Sequence, residues 1–353
     1  MKPFASILTL AAALALGASA SAQVSPPAQK AEAEKPKAKS KPPAALKKPA
    51  APAADTKPAA PAPTATATPA PDDRNVDLVY GAYQRGQYKT AFDLASARAQ
   101  AGDPKAMTML GELSANALGV RRDEAKAVYW YKRAADAGDR EAMFALAMMR
   151  LSGRGGPADR PEAVKLLASA AKLGEAKAAY NLALLYLDGQ TLPQDLKRAA
   201  ELLRMASDAG NPEAQYALAT FYKEGTGVEK DPEKAVQLLQ AAALADNVDA
   251  EVEYAIALYN GTGTPKNQAA AVALLRKAAK QNSPIAQNRL ARVLVGGLGA
   301  PVDKVEALKW HLIAKTAGKG DPYLDEVLAQ MSPNDRAKAE AAAQRWLGKS
   351  LTW

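Results

Sequence analysis

The chain contains no cysteine and only one histidine, His311, among its 353 residues. Without cysteine it can form no disulfide, no thiolate metal site and no cysteine nucleophile. A single histidine excludes the histidine clusters of zinc sites and leaves any serine triad dependent on His311 alone. That residue occupies the repeat position of Tyr131, which predicts a packing role. We therefore expect no enzyme, no metal site and no cofactor.

Aromatic residues are also scarce, at 6% of the chain, and nothing in the alanine-rich composition favours strands. The formal net charge of +9 is not concentrated in one basic segment, because about half of it lies in residues 1–74. In the remainder, lysine and arginine alternate with aspartate and glutamate, which is typical of solvated helix surfaces. We expect no nucleic-acid partner.

A strict repeat of 36 residues runs through most of the chain. Its register is marked by glycine or another turn-forming residue at Gly102, Gly138, Gly174, Gly210, Asp246, Asn282 and Gly318. An alanine follows four residues later in six of these units, at Ala106, Ala142, Ala178, Ala214, Ala250 and Ala286. Within a unit the apolar residues recur at helical spacing on both sides of a glycine-containing break. Each unit therefore reads as two short helices.

The break between the two helices has clear stop and start signals in the unit that follows Gly210. Gly225 and Gly227 permit the left-handed backbone that ends a helix. Asp231 is then a suitable N-cap, with Pro232 at the first helical position. The glycine runs lack the lysine, threonine and preceding strand of a phosphate-binding loop, so we interpret them as helix stops.

These motifs resemble the Sel1-like repeat, a relative of the tetratricopeptide repeat. The match is closest where Leu110-Gly111, Gly119-Val120, Asp123, Lys126-Ala127, Trp130-Tyr131 and Ala134-Ala135 stand together. Thr191, where glycine is usual, is one departure that would alter a local turn. The resemblance covers about Val76 to Gly318. It implies an all-α, right-handed α-solenoid of about seven helix-turn-helix repeats with a 36-residue period, which mediates protein contacts.

The two ends of the predicted solenoid differ from the repeats between them. The first unit, from Val76, is shorter and lacks the glycine and aspartate segment, as terminal repeats commonly do. At the other end, Ser332 and Pro333 start a helix that should cap the C-terminal end of the stack.

The N-terminal part divides into two segments before the solenoid of residues 76–353. Residues 1–22 have a positive start, an apolar core and the small-residue motif Ala20-Ser21-Ala22, and read as a signal peptide. Residues 23–75 contain half of the chain's prolines, with alanine and lysine, and read as a disordered spacer. We expect a periplasmic protein without a membrane span after cleavage. The alternative is an uncleaved anchor in the inner membrane.

The lysines of the spacer offer a second, weaker contact. They could touch anionic cell-wall polymers, although a solubilising tether is the simpler interpretation.

The partner-binding residues are expected on the first helix of each unit. With tetratricopeptide geometry as the guide, the groove residues are Phe144, Met148, Tyr180, Leu184, Tyr216, Ile256 and Arg292. The first five of these should be partly exposed and contiguous, whereas Leu146, Leu182 and Leu218 on the same helices should be buried. Such an apolar stripe can bind an extended peptide or a helix. Two alternatives stay open: the aromatics pack between units, or the loops that carry Asp123, Asp159, Asp195 and Asp231 bind instead.

The sequence thus predicts a non-catalytic interaction scaffold or regulator of the bacterial cell envelope, with an envelope protein or peptide as its partner. The alternatives are a cell-wall-active or β-lactam-hydrolysing enzyme of the repeat family and a purely structural envelope spacer.

Cleavage of the leader is testable on the protein recovered from cells. Mass spectrometry of the mature chain should show an N-terminus at Gln23, because the small residues at Ala20 and Ala22 suit the cleavage enzyme. An intact Met1 form in the membrane fraction would instead support the anchor.

Overall fold

A computed structural model describes residues 74–348, and within this range every regular element is an α-helix. The predicted signal peptide and nearly all of the predicted spacer lie outside the described residues. The helices are α1 Arg74–Gln84, α2 Tyr88–Gln100, α3 Pro104–Ala115, α4 Glu124–Asp136, α5 Arg140–Ser152, α6 Arg160–Lys172, α7 Ala176–Asp188, α8 Leu196–Asp208, α9 Pro212–Glu224, α10 Pro232–Leu244, α11 Val248–Asn260, α12 Gln268–Lys280, α13 Pro284–Gly296, α14 Lys304–Thr316, α15 Pro322–Ala329 and α16 Pro333–Leu347. The all-α fold built from repeated helix pairs is confirmed.

Caps placed by the repeat set the helix boundaries. Asp231 accepts a hydrogen bond from the backbone N–H of Lys234 at 2.9 Å, as an N-cap does. Gly225 ends α9 with φ of 77° and donates its N–H to the Phe221 carbonyl. The turn residues of the 36-residue register all have positive φ, including Asp246 at 60° and Asn282 at 64°. Aspartate and asparagine tolerate this region better than other side chains do, so the register survives where glycine is replaced.

The core lies between successive helices, which pack in chain order from α1 to α14. Small residues occupy the closest contacts, and the register alanines Ala127, Ala163, Ala199, Ala271 and Ala307 have no exposed surface. Larger side chains fill the remaining space: Leu146, Leu182 and Leu218 are at most 5% exposed, as predicted. Each unit therefore buries its apolar faces only against its neighbours.

The main chains of adjacent units meet at the second glycine of each helix-to-helix turn. A Cβ built at Gly227 would lie under 3.0 Å from the carbonyl oxygen of Leu196, the first residue of α8 in the preceding unit. The same contact, with the first residue of the preceding second helix, occurs at Gly155, Gly263 and Gly299, and Gly119 approaches the start of α2 in the same way. Only glycine fits at these positions. Thr191 occupies the equivalent position one period before Gly227 and does not have a positive φ, yet α7 and α8 keep their places in the 36-residue register.

The C-terminal end closes as the sequence predicts. Ser332 caps α16 by accepting the N–H of Asp335 at 3.1 Å, and α16 packs against α14. Trp346 lies edge-on to Trp310 with ring centroids 5.1 Å apart and donates to the side-chain oxygen of Asn282 at 3.2 Å. The last helix thereby covers the apolar surface that a further repeat would cover.

One turn carries a conformational penalty that a substitution should relieve. Ala117 has φ of 58°, whereas Gly153, one period later, adopts φ of 68°. Ala117→Gly should stabilise the protein by about 1 kcal/mol, because left-handed backbone costs an L-residue about that much. Gly153→Ala is the matched control and should destabilise by a similar amount. Urea unfolding followed by circular dichroism measures both, and a loss of stability in Ala117→Gly would contradict the argument.

Candidate functional site

The first helices of three consecutive units enclose a cleft with a volume of about 470 Å³ between α3, α5 and α7. Phe144 and Met148 lie one turn apart on α5, and Tyr180 and Leu184 occupy the same two positions on α7. The 36-residue register places the two pairs side by side. Four of the seven predicted groove residues therefore line one cleft, whose volume is within the usual range for ligand sites.

The exposure of these residues agrees with the prediction except at Leu184. Phe144, Met148 and Tyr180 are half-buried, but Leu184 is only 2% exposed, so its predicted partial exposure is wrong. Leu184 belongs to the core cluster that joins α7 to its neighbours. It forms the bottom of the cleft, whereas the two aromatic rings present accessible surface. Burial, with a smaller contribution from Glu213, raises the pKa of Tyr180 to about 12, so its hydroxyl stays neutral.

Tyr131 reaches the cleft from a second helix, α4, and sequence reasoning missed it. The residue as a whole is 4% exposed, but its hydroxyl oxygen keeps contact with solvent at the cleft and makes no hydrogen bond to the side chains of residues 78–348. The ring lies flat on Gly111, where a Cβ would come within 2.6 Å of ring carbons. Burial also raises the pKa of Tyr131. A neutral hydroxyl that opens into the cleft without a protein partner is an available hydrogen-bonding group at the cleft wall.

A sequence signal for Tyr131 does exist. The position of Gly111 holds alanine in the following five units, at Ala147, Ala183, Ala219, Ala255 and Ala291. The position of Tyr131 holds leucine in four of them. A glycine paired with an aromatic residue, where the other units pair alanine with leucine, indicates that a large ring has taken the space of a methyl group.

Polar side chains form the rim of the cleft. Arg154 lines it and is anchored through its Nε, which donates to Glu124 at 2.9 Å. Asn116 donates to Glu112 at 3.2 Å, and Asn181 donates to the Lys177 carbonyl at 2.8 Å. Each amide keeps further hydrogen-bonding capacity, because a side-chain amide has two donors and an acceptor. An apolar floor with an amide rim matches the alternating chemistry of a peptide chain.

The other predicted groove residues lie outside this cleft. Tyr216 borders a separate pocket of about 70 Å³ beside Thr220 and Glu253, and Ile256 packs against the core of the C-terminal units. Burial, followed by Asp249 and Glu253, raises the pKa of Tyr216 to about 12. The apolar stripe therefore does not continue as one open surface from α7 to α13.

Arg292 is bound within the protein instead of facing the cleft. Its guanidinium forms a two-point ion pair with Asp321, including a 2.9 Å bond from Nη2, and lies over the ring of Tyr323. The carboxylate is 5% exposed and also accepts the N–H of Tyr323 as the cap of α15. The hydrogen bonds from Arg292 lower the pKa of Asp321 to about 2. This pair ties α13 to α15.

The loop aspartates considered as an alternative site are helix caps. Asp123, Asp159, Asp195 and Asp231 each accept a backbone N–H of the following helix at 2.9 Å. The hydrogen bonds with Lys126 lower the pKa of Asp123, and those with Lys234 do the same for Asp231. Their geometry is accounted for by capping.

The single histidine and the acidic side chains of the described residues are the remaining candidates for chemistry. His311 is 1% exposed and its Nε2 lies 2.8 Å from Asp325, which agrees with a packing role. No three histidine, aspartate or glutamate side chains among residues 74–348 are placed to hold a metal ion. None of the helices in the same range is long and apolar enough to cross a membrane.

Comparison with known proteins gives a family and a fold. The model of the Sel1 repeat matches six consecutive segments, at residues 104–139, 140–175, 176–211, 212–247, 248–283 and 284–319. The helix pair α1–α2 precedes the first of them, in line with its predicted divergence. No curated protein sequence matches the chain significantly.

Two crystal structures share the fold. A protective antigen of uropathogenic Escherichia coli with an SLR fold superposes with a TM-score of 0.66 at 26% identity, over 77% of this chain and 61% of that protein. A Sel1 repeat protein from Oxalobacter formigenes gives a TM-score of 0.59 at 27% identity, over 68% of this chain and 96% of that protein. The chain thus corresponds to less than two thirds of the antigen's length.

The ion pair of Arg292 predicts a pH-dependent stability. The pKa of Asp321 is lowered from 3.8 to about 2. The ionised carboxylate therefore contributes to folding stability above pH 4, and this contribution is lost as the pH falls through about 2. Arg292→Ala should lower the free energy of unfolding at pH 7 by up to roughly 2 kcal/mol. The loss should be smaller than this limit because solvent screens the exposed guanidinium. Urea unfolding at pH 7 and at pH 2.5 measures this difference, which should shrink at the lower pH.

The control for this experiment is Arg289→Ala. Arg289 is exposed on the same helix and forms no ion pair among the described residues. An equal loss of stability at both pH values in Arg292→Ala would assign the effect to side-chain packing on Tyr323 instead.

Proposed function

Because the chain belongs to the Sel1 repeat family, whose repeats generally mediate protein–protein contacts, we propose that it is a non-catalytic interaction scaffold or regulator in the bacterial cell envelope. Its partner is an envelope protein that inserts an extended segment into the cleft between α3, α5 and α7. The single observation that carries this proposal is the Tyr131 hydroxyl, which opens into the cleft and makes no hydrogen bond to the side chains of residues 78–348.

The chemistry of the cleft supports an extended segment as the ligand. An apolar side chain of the partner would contact Phe144 and Tyr180, whose rings are half-buried and therefore lose little conformational entropy on binding. A backbone carbonyl of the same segment would accept a hydrogen bond from the Tyr131 hydroxyl. The side-chain amides of Asn116 and Asn181 would form hydrogen bonds with neighbouring peptide groups. The Tyr131 hydroxyl and the two amides would then each gain a hydrogen bond in the complex.

The location in the envelope rests on the N-terminal segment. Residues 1–22 have the composition of a signal peptide, and the following proline-rich residues suit a spacer between an exported chain and its fold. The proposed partner is accordingly a protein or peptide of the same compartment.

Peptides selected from a phage-displayed library on the full chain provide a probe for the cleft. Tyr180→Ala should weaken their binding about 30-fold, because loss of a hot-spot aromatic costs roughly 2 kcal/mol. Tyr131→Phe, which removes only the hydroxyl, should weaken binding about 5-fold through the loss of one hydrogen bond. Fluorescence polarisation of labelled peptides measures both, and the same variants can then be compared in pull-downs from envelope extract.

Two controls separate binding from folding. Tyr222 is a half-buried tyrosine on α9 that accepts a hydrogen bond from Arg204 at 3.1 Å outside the cleft, so Tyr222→Ala should bind normally. Leu182→Ala should lose about 2 to 5 kcal/mol of stability as a core cavity. If Tyr180→Ala unfolds as readily as Leu182→Ala and still binds the peptides at low temperature, Tyr180 is an inter-unit packing residue and the proposal fails.

A further inference from the structure

A second cleft of about 500 Å³ lies at the N-terminal end of the same face, between α1, α3 and α5. Tyr80 and Tyr83 line it from α1, and Glu112 and Glu141 line it from α3 and α5. The two clefts share no lining residue, although Asn116 at the rim of the first donates to Glu112 in the second. The two clefts are neighbours because α3 and α5 contribute to both.

The second cleft has an excess of unpaired negative charge. Among the side chains of residues 78–348, no cation forms an ion pair with Glu112, Asp139 or Glu141. Glu112 accepts only neutral donors, the Tyr83 hydroxyl and the Asn116 amide, both at 3.2 Å. Of the two basic residues that line the cleft, Arg98 is already paired with Asp103 at 2.5 Å, and Lys105 is exposed.

Two tyrosine rings stand beside these carboxylates. Tyr80 is 53% exposed and stacks with Tyr83 at a centroid distance of 6.5 Å. Burial, assisted by Glu112, raises the pKa of Tyr83 to about 12, so the phenol is neutral and donates to that carboxylate. Exposed ring faces next to carboxylates attract ammonium groups through cation–π and charge interactions together. Aromatic grooves are also the surfaces that recognise polyproline-type segments.

The chain itself contains a segment with this complementary chemistry. Residues 35–49, KPKAKSKPPAALKKP, hold six lysines, four prolines and no acidic residue. Proline restricts the unbound chain toward extended conformations, which lowers the entropic cost of binding in a groove. Alternate lysines at positions 35, 37, 39 and 41 project to the same side when the backbone is extended.

The position of this segment in the chain favours binding within one molecule. Only 24 residues separate Pro49 from Arg74, where α1 begins, and α1 is a wall of the cleft. Such a linker can span up to about 80 Å. It would hold the lysines near the cleft at an effective concentration on the order of millimolar.

We propose that the lysine-rich segment 35–49 binds in the cleft between α1, α3 and α5 of its own chain. Its ammonium groups contact Glu112, Asp139 and Glu141, and its prolines and lysine stems pack on Tyr80 and Tyr83. The bound segment would cover the end of the first-helix face that adjoins the partner site. This inference stands apart from the proposed partner site, since it uses none of the residues tested there.

Carbodiimide cross-linking of the full chain tests the contact, because it joins a lysine amine to a carboxylate only when the two touch. Peptide mapping should find isopeptide bonds from Lys35–Lys48 to Glu112, Asp139 or Glu141. An equal mixture of ¹⁴N- and ¹⁵N-labelled chains identifies the origin of each bond. Same-label products support the proposal, whereas absent or only mixed-label products overturn it, the latter in favour of a second copy as the occupant.

A matched pair of variants checks the specificity of the cross-links. Glu213 occupies the position of Glu141 two units further along and is also exposed. Glu141→Gln should lower the yield of cross-links to the cleft, and Glu213→Gln should leave it unchanged. An equal yield on Glu213 and Glu141 would overturn the proposal, because it would indicate non-specific contact with any surface carboxylate.

A competition experiment gives an independent readout. A fluorescein-labelled peptide of residues 35–49 should bind about tenfold more tightly to a full-length variant in which Lys35, Lys37, Lys39 and Lys41 are glutamine, because the chain's own segment no longer competes. Adding Glu112→Gln and Glu141→Gln to that variant should abolish binding. Equal affinity for the wild type and the lysine variant would overturn the proposal. Tyr180→Ala should not change any of these results.

Discussion

The contact on which the rest of this structure depends is a meeting of two main chains. The second glycine of a helix-to-helix turn lies so close to the first residue of the preceding unit's second helix that no Cβ fits between them. Where this glycine is present, backbone atoms therefore limit the distance between units; the turn with Thr191 lacks the contact and keeps the same helix register. Side chains on the exposed face of the first helices do not control that distance, so they are free to differ from one unit to the next.

This separation of roles explains why a local exchange can create a site in an otherwise uniform solenoid. In the unit of α3 and α4, glycine replaces the alanine found one period later, and a tyrosine replaces the leucine. The ring of Tyr131 fits against Gly111 and lines the cleft between α3, α5 and α7. The stacking is unchanged because both substitutions lie inside the unit. A scaffold whose contacts are mainly backbone and alanine can thus acquire a polar group in a cleft without loss of register.

Polar side chains serve mostly to connect neighbouring units at their edges. Arg154 with Glu124, Arg276 with Glu306, and Lys223 with Glu253 each join residues 30 positions apart. These pairs are partly exposed, so each contributes little to stability. Arg292 and Asp321 differ because the carboxylate is buried, and they hold the terminal helices onto the last full unit. Charge at the C-terminal end is therefore used for closure, whereas Glu112, Asp139 and Glu141 at the N-terminal end have no ion-pair partner among the side chains of residues 78–348.

Much of the fold could be predicted from the sequence, because a period of 36 residues, capping aspartates and turn glycines are local signals. They determined the helix pairs, the positive φ at Gly225 and its equivalents, the burial of Leu182, and the helix that begins after Ser332. They also placed Phe144 beside Tyr180, since residues one period apart are neighbours in any regular stack. Only the tertiary structure decided which of the groove residues stay accessible. Leu184 is buried and Arg292 is paired with Asp321, because each outcome depends on side chains outside the residue's own unit. Tyr131 enters the cleft because its ring fills the space beside Gly111 in the same unit. A repeat determines where a residue lies in its own unit, but its exposure and its partners depend on the neighbour packed against it.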